Sequence, residues 1–385
     1  MQDINLTVHP GEPVPHLKFY NKQQHCHLDS IWDEICRGLW KRFNPDNYLY
    51  KTPPIECLTF EPDALEYFPN IIALPAGFIW DDATERVKQD LYTPTLAEAD
   101  ERKLLNAIEQ YLLPYRGQTV GVHLSGGLDS SIIIGLLDYF GIDFIPIGYT
   151  SRRFEARTER TIQLILAEKY PNSILLDLDD YTEFEDVDIP CKTQIPSRAI
   201  RFGAAHKLMP RLFKEHGAQT VFSGQGADSI FGDPIHPQTL NSFNIPALFE
   251  LTEQEYYLYR PYGLRLEPFF ADHQIITQIT NLRRGQGSDA RKLWARRFFK
   301  KFIPQELVDY QYHGDFFGHS ISGLFDSRDK IRKIFSQAHE ITNNKLFSPK
   351  IVDNMDVFAF DSASYVLWCS KISYAIWLTS LFAKN

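Results

Sequence analysis

An α/β fold with a parallel twisted sheet, helices on both faces, follows from three features of the sequence. Between residues 118 and 223, short apolar strand-like runs alternate with helical stretches. Such alternation implies crossover units and a sheet covered on both sides. A glycine-rich turn, Ser125-Gly126-Gly127-Leu128-Asp129-Ser130-Ser131, lies between one of these strands and the next helix. Hydrophobic residues make up 44% and charged residues 23% of the 385, the balance of a globular chain with a sizeable core.

Residues 1–95 are irregular in pattern and rich in Pro, His and aromatics, with short strand-like runs at 55–60 and 71–74, and read as a short α+β region. Residues 96–115 carry apolar residues at helical spacing, with acids early and a stop near Pro114. Strands are expected at 118–124, 143–149, 173–178 and 219–223, and helices at 131–140, 157–169 and 199–216. From about 245 onward the pattern is largely helical. The stretch 365–383 is apolar and long enough for a membrane span, but Lys371 and several hydroxyl residues favour a buried terminal helix.

The net charge of −9 gives no extended basic footprint for DNA or RNA; one local basic cluster lies at 291–301. The five cysteines (Cys26, Cys36, Cys57, Cys191 and Cys369) form no CxxC pair, which points to a reducing, cytoplasmic setting. His25-Cys26-His27 lacks a second ligand pair at zinc spacing. The N-terminus shows no charged-then-apolar targeting pattern, and no membrane association is expected.

The turn at 125–131 has the chemistry of a polyanion nest. Gly126 and Gly127 let the backbone bend sharply and bring N–H groups close to an anion. The helix that follows adds free N–H groups and the positive end of its dipole. The hydroxyls of Ser125, Ser130 and Ser131 supply further donors. No lysine ends the turn, so it is not a Walker loop. It resembles the pyrophosphate-binding loop of enzymes that cleave ATP to AMP and pyrophosphate, which implies an adenine-nucleotide hydrolase-like fold.

A second turn, at 221–232, reads VFSGQGADSIFG and also closes a strand. Ser223, Gly224, Gln225, Gly226 and Asp228 resemble the glycine-rich turn of the asparagine synthetase family, with Ser229 where that family usually has an acid. A third stretch, 292–304, resembles the family segment in which a lysine and an arginine four residues apart open a helix; here they are Lys292 and Arg296. The resemblance runs over roughly 96–380, within a domain read as 96–385, and implies an ATP-binding site. Asp129 and Asp228 would hold Mg2+ beside the phosphates, and Lys292 would contact phosphate.

The chain also departs from the family. Residue 2 is Gln2 where a glutamine-hydrolysing cysteine would stand, so 1–95 is read as a shortened or replaced glutaminase-like region. Leu264 occupies the position of a family glutamate, with Glu267 close by. The transfer-site lysine falls at Tyr312, or at His313 with one residue of slippage. These departures resemble the amine-using branch, the β-lactam, carbapenam and lasso-peptide macrolactam synthetases.

The expected activity is therefore AMP-forming activation of a carboxylate, followed by amide formation with an amine or ammonia. The carboxylate would be a small molecule or peptide from specialised biosynthesis, and a separate amidotransferase or precursor peptide would be the partner. Two alternatives stand beside it: a catalytically weak nucleotide-binding homologue acting as a regulator, and a tRNA-modifying enzyme with the same loop.

Overall fold

The computed structural model describes residues 18–28, 30–49, 66–74, 78–89, 97–98, 100–185, 195–196, 204–232, 258–284, 286, 289, 291–309, 317–355 and 362–382. The chain divides into two compact units. One comprises Gln89–Leu178 and Leu208–Asp315, and the other comprises Leu17–Lys88, Asp179–Lys207 and Phe316–Asn385.

The first unit is built on strands β1 (Val120–His123), β2 (Phe144–Thr150), β3 (Ile174–Asp177), β4 (Thr220–Ser223) and β5 (Arg265–Pro268). They hydrogen-bond in the order β5-β4-β1-β2-β3, with every pair parallel. The chain builds outward from β1 through β2 to β3, then returns to the other side of β1 for β4 and β5. This reversal puts the topological switch point between β1 and β4, where open parallel sheets bind ligands beyond their carboxyl ends.

Helices α1 (Glu101–Leu112), α2 (Leu128–Tyr139), α3 (Arg157–Lys169), α4 (Ala204–Glu215), α5 (Ala227–Phe231), α6 (His273–Arg283) and α7 (Leu293–Phe298) belong with the sheet. Helix α1 starts at Asp100, whose carboxylate accepts from the Arg102 N–H, and buries Leu104, Ile108, Tyr111 and Leu112 along one stripe. Helix α2 is apolar all round, and Ile132, Ile133, Ile134, Leu136 and Leu137 are all fully buried. The sheet is covered on both faces. Phe222 of β4 meets Tyr111 and Tyr115, whereas Gly121 of β1 turns its face to Phe213 of α4.

Two differences from the sequence reading matter for the site. Helix α2 begins at Leu128 rather than 131, because Gly127 already stands at its N-cap. Asp129 is therefore a first-turn helical residue. Strand β5 occupies a stretch read as helical. Its residues Arg-Leu-Glu-Pro lack an apolar run, and proline is tolerated at the end of an edge strand. The run 55–60 lies outside the described residues.

In the second unit, Lys18–Asn21 pairs antiparallel with both Cys26–Leu28 and Ile71–Leu74, and Phe78–Asp81 pairs with Arg86–Gln89. Its long helices are Arg328–Thr342 and Ser362–Phe382. Phe43 packs against Tyr374 and Trp377 of the last helix, so 316–385 joins 17–88 in one unit and the division differs from a single cut at residue 95. Trp377 and Cys369 are fully buried, as expected for a terminal core helix. Among the described residues, no helix is long and apolar enough to cross a membrane.

Candidate functional site

Both glycine-rich turns open at the carboxyl ends of the two strands that flank the switch point, the first after β1 and the second after β4. In the first turn, Gly126 has φ 81 and a Cβ there would lie 2.2 Å from the Glu159 carbonyl oxygen of α3. Only glycine satisfies both the left-handed backbone and the close approach. The serines of the turn differ in use. The Ser131 hydroxyl donates to the Gly127 carbonyl at 2.8 Å and Ser130 to the same carbonyl at 3.2 Å, and both side chains are buried. Ser125 is exposed, shares a 2.8 Å hydrogen bond with Ser130 and accepts from the Gly127 N–H. The loop is thus braced by Ser130 and Ser131, and Ser125 faces outward.

In the second turn, Gly226 has φ 88 and forms the N-cap of α5. Ser223 is buried and accepts from the Gln225 N–H at 3.3 Å. A Cβ on Gly224 would lie 3.0 Å from Cβ of Asp129, so the absence of a side chain lets the two turns meet. Asp228 sits in the first turn of α5.

The third sequence stretch completes the site. Lys292 Nζ lies 2.6 Å from Asp129 Oδ2 and 2.6 Å from Asp228 Oδ1. Burial works against the ammonium charge of Lys292. The two carboxylates outweigh it and hold the pKa above the ordinary lysine value. The Lys292 backbone is left-handed, φ 52 and ψ 40, an uncommon state for a non-glycine residue. Its N–H donates to the Asp289 carbonyl at 2.8 Å, and the Asp289 carboxylate accepts from the Trp294 N–H. Asp289 therefore shapes the turn that presents Lys292, a role with no sequence signal beyond its position before a helix.

Arg296, one turn further, does not share the Lys292 arrangement. Its guanidinium donates to the carbonyls of Arg291 and Leu307 and is buried, so it braces the start of α7. Glu267 is fully buried in β5, one residue before the strand's end, close enough for its charge to act on the Tyr111 phenol of α1. Tyr312 and His313 lie outside the described residues.

Two further polar groups line the carboxyl edge. Thr150 Oγ1, ending β2, and Gln225 Oε1 are buried and have no hydrogen-bond partner among the described residues. Buried polar atoms are nearly always paired, which makes these two atoms candidates for contact with a ligand. Thr150 was legible only as a polar residue ending an apolar strand. Gln163 of α3 holds this edge together by donating to the Leu124 and Tyr149 carbonyls.

Two helix starts with backbone N–H groups, two carboxylates and a buried ammonium meet at one switch point. Residues 115–284 match the asparagine synthase family model. This asparagine synthase-type segment holds both glycine-rich turns and Glu267, and it ends before Lys292. The match covers this segment and less than half of the chain. Among solved structures, the chain is similar to NMN synthetase from Francisella tularensis. Identity is 12% over 59% of this chain and 84% of that one, with a TM-score of 0.31, too low to carry an argument. A comparison with curated proteins finds no match.

Proposed function

We propose that this chain is an ATP-dependent carbon–nitrogen ligase that activates a carboxylate as its adenylate and passes the acyl group to an amine or ammonia. The observation that carries the reading is the convergence of Asp129 and Asp228, from two separate glycine-rich turns, on Lys292 at the switch point. A carboxylate oxygen of the substrate attacks the α-phosphorus of ATP while the bond to pyrophosphate breaks. The amine then attacks the acyl carbon, gives up a proton and expels AMP.

The residues divide this work. The N–H groups of the first turn, the N-terminus of α2 and the Ser125 hydroxyl hold the phosphates. Lys292 neutralises charge that grows on the leaving pyrophosphate. Asp129 and Asp228 suit magnesium, which takes one or two carboxylates and fills its other positions with phosphate and water oxygens. The Asp228 side chain is 77% exposed, which leaves room for those oxygens. When bound, the ion would neutralise phosphate charge. Glu267, Tyr312 and His313 are the candidates for the transfer half.

The departures at Leu264 and Tyr312 favour an amine-using enzyme of peptide or natural-product biosynthesis, with a precursor peptide or an ammonia-supplying subunit as its partner. The test is ATP–pyrophosphate exchange with a panel of amino acids and peptides, followed by AMP release when an amine is added. Carboxylate-dependent exchange is expected. Release of ADP and phosphate in its place refutes the AMP-forming reading.

A further inference from the structure

The ammonium of Lys292 occupies the point at which the two acidic side chains of the site meet. A buried monovalent cation held by two carboxylates at 2.6 Å each stands where a divalent ion would be held by the same oxygens. A metal on those same two oxygens would stand in contact with the Lys292 ammonium, and the two cations would repel each other. Among the described residues, no group of three or more His, Cys, Asp or Glu side chains gathers to hold a metal. Among those residues, then, the two aspartates have no third ligand of these types beside them with which to out-compete the lysine.

The backbone around Lys292 is pinned, so only its side chain can yield. The Gly232 N–H donates to the Asp228 carbonyl at 2.7 Å, the Asp289 N–H to the Gly232 carbonyl at 2.7 Å, and the Lys292 N–H to the Asp289 carbonyl at 2.8 Å. This unbroken relay ties the Lys292 backbone to the turn that carries Asp228. A triphosphate in the first turn would offer the flexible ammonium a more negative partner. The carboxylates would then be released, and phosphate oxygens would add ligands to those that the two aspartates supply.

We propose that Lys292 is a displaceable place-holder for the divalent cation, so that the protein takes up metal together with the nucleotide and not before it. This rests on reading Asp129 and Asp228 as the metal-holding pair. Thermodynamic linkage makes the effect reciprocal: nucleotide raises metal affinity, and metal raises nucleotide affinity by the same factor.

The experiment measures Mn2+ retained by the protein in equilibrium dialysis, with its electron paramagnetic resonance spectrum, with and without α,β-methylene-ATP. The parent is expected to bind Mn2+ about tenfold or more tightly with the analogue than without it. Lys292→Met is expected to bind Mn2+ without nucleotide, about tenfold or more tightly than the parent does. Its melting temperature should then rise with Mn2+, while the parent's stays flat. Adding Asp228→Asn to Lys292→Met should abolish the gain. Equal affinity of the parent with and without the analogue overturns the place-holder, and that result stands even if the Lys292→Met protein does not fold. A Lys292→Met protein that gains no Mn2+ binding, or a double variant that keeps it, also overturns it. Failure of the parent to retain Mn2+ even with the analogue instead overturns the metal-holding reading of the two aspartates.

Discussion

Gly126 lies against the carbonyl oxygen of Glu159, close enough that a Cβ on Gly126 would fall 2.2 Å from it. The contact seats the first glycine-rich turn on the first turn of α3. Gly126→Ala combines a left-handed backbone, which costs an L-residue about 1–2 kcal/mol, with overlap on a helix carbonyl that has little freedom to move. The expected result is a loss of more than about 2 kcal/mol in urea unfolding, with no measurable pyrophosphate exchange. A variant with the parent's unfolding midpoint refutes the close contact.

Asp129→Asn and Asp228→Asn should both abolish carboxylate-dependent exchange, yet they should differ in stability. Lys292 is 5% exposed and keeps only one partner in either variant. The Asp129 side chain is 20% exposed and that of Asp228 is 77% exposed. Loss of the more buried partner leaves the buried ammonium less well compensated, a change of about 1–3 kcal/mol. Loss of the exposed one changes stability little. Thermal melts of the two variants check the ranking, and full AMP formation in either one removes it from the site.

His123, at the end of β1, shares a 2.6 Å hydrogen bond with the Tyr259 hydroxyl, and burial pushes its pKa from 6.5 down to about 4. Between these values the folded protein keeps the imidazole neutral while the unfolded chain takes up a proton. This contribution to stability is therefore complete above pH 6.5 and is lost as the pH falls toward 4. It amounts to at most about 3 kcal/mol. Urea unfolding at pH 7 and pH 5 should show the loss in the parent and a smaller one in His123→Gln. The same slope in both proteins would count against it.

The transfer half is tested at Tyr312 and His313, with adenylate formation and product formation measured separately. Tyr312→Phe or His313→Ala should keep pyrophosphate release and lose amide product by about a hundredfold, the usual cost of removing one donor to developing negative charge. Parent rates of product formation in both variants would assign the step elsewhere.

The alternating core was readable because its strands are short apolar runs, two of them closed by glycine-rich turns, and the alternation with helical stretches places β1 to β4. Strand β5 was not readable, because Arg265-Leu266-Glu267-Pro268 gains its strand character only from pairing with Thr220–Ser223. At the site, the two glycine turns were legible residue by residue, since a local backbone bend demands them. The destination of Lys292 was not, because nothing local encodes a contact to a side chain 163 residues earlier. The same limit hid the inward bracing by Arg296, which the sequence shows only as an arginine four residues after Lys292.

That 163-residue span has a consequence for how the protein comes into being. During synthesis Asp129 and the first glycine turn leave the ribosome long before Asp228, and Lys292 follows later still. Contacts of such sequence separation form late, after their large loops have closed. On the proposed reading, any nucleotide affinity that depends on Lys292 is gained only when the last part of the sheet unit has been made.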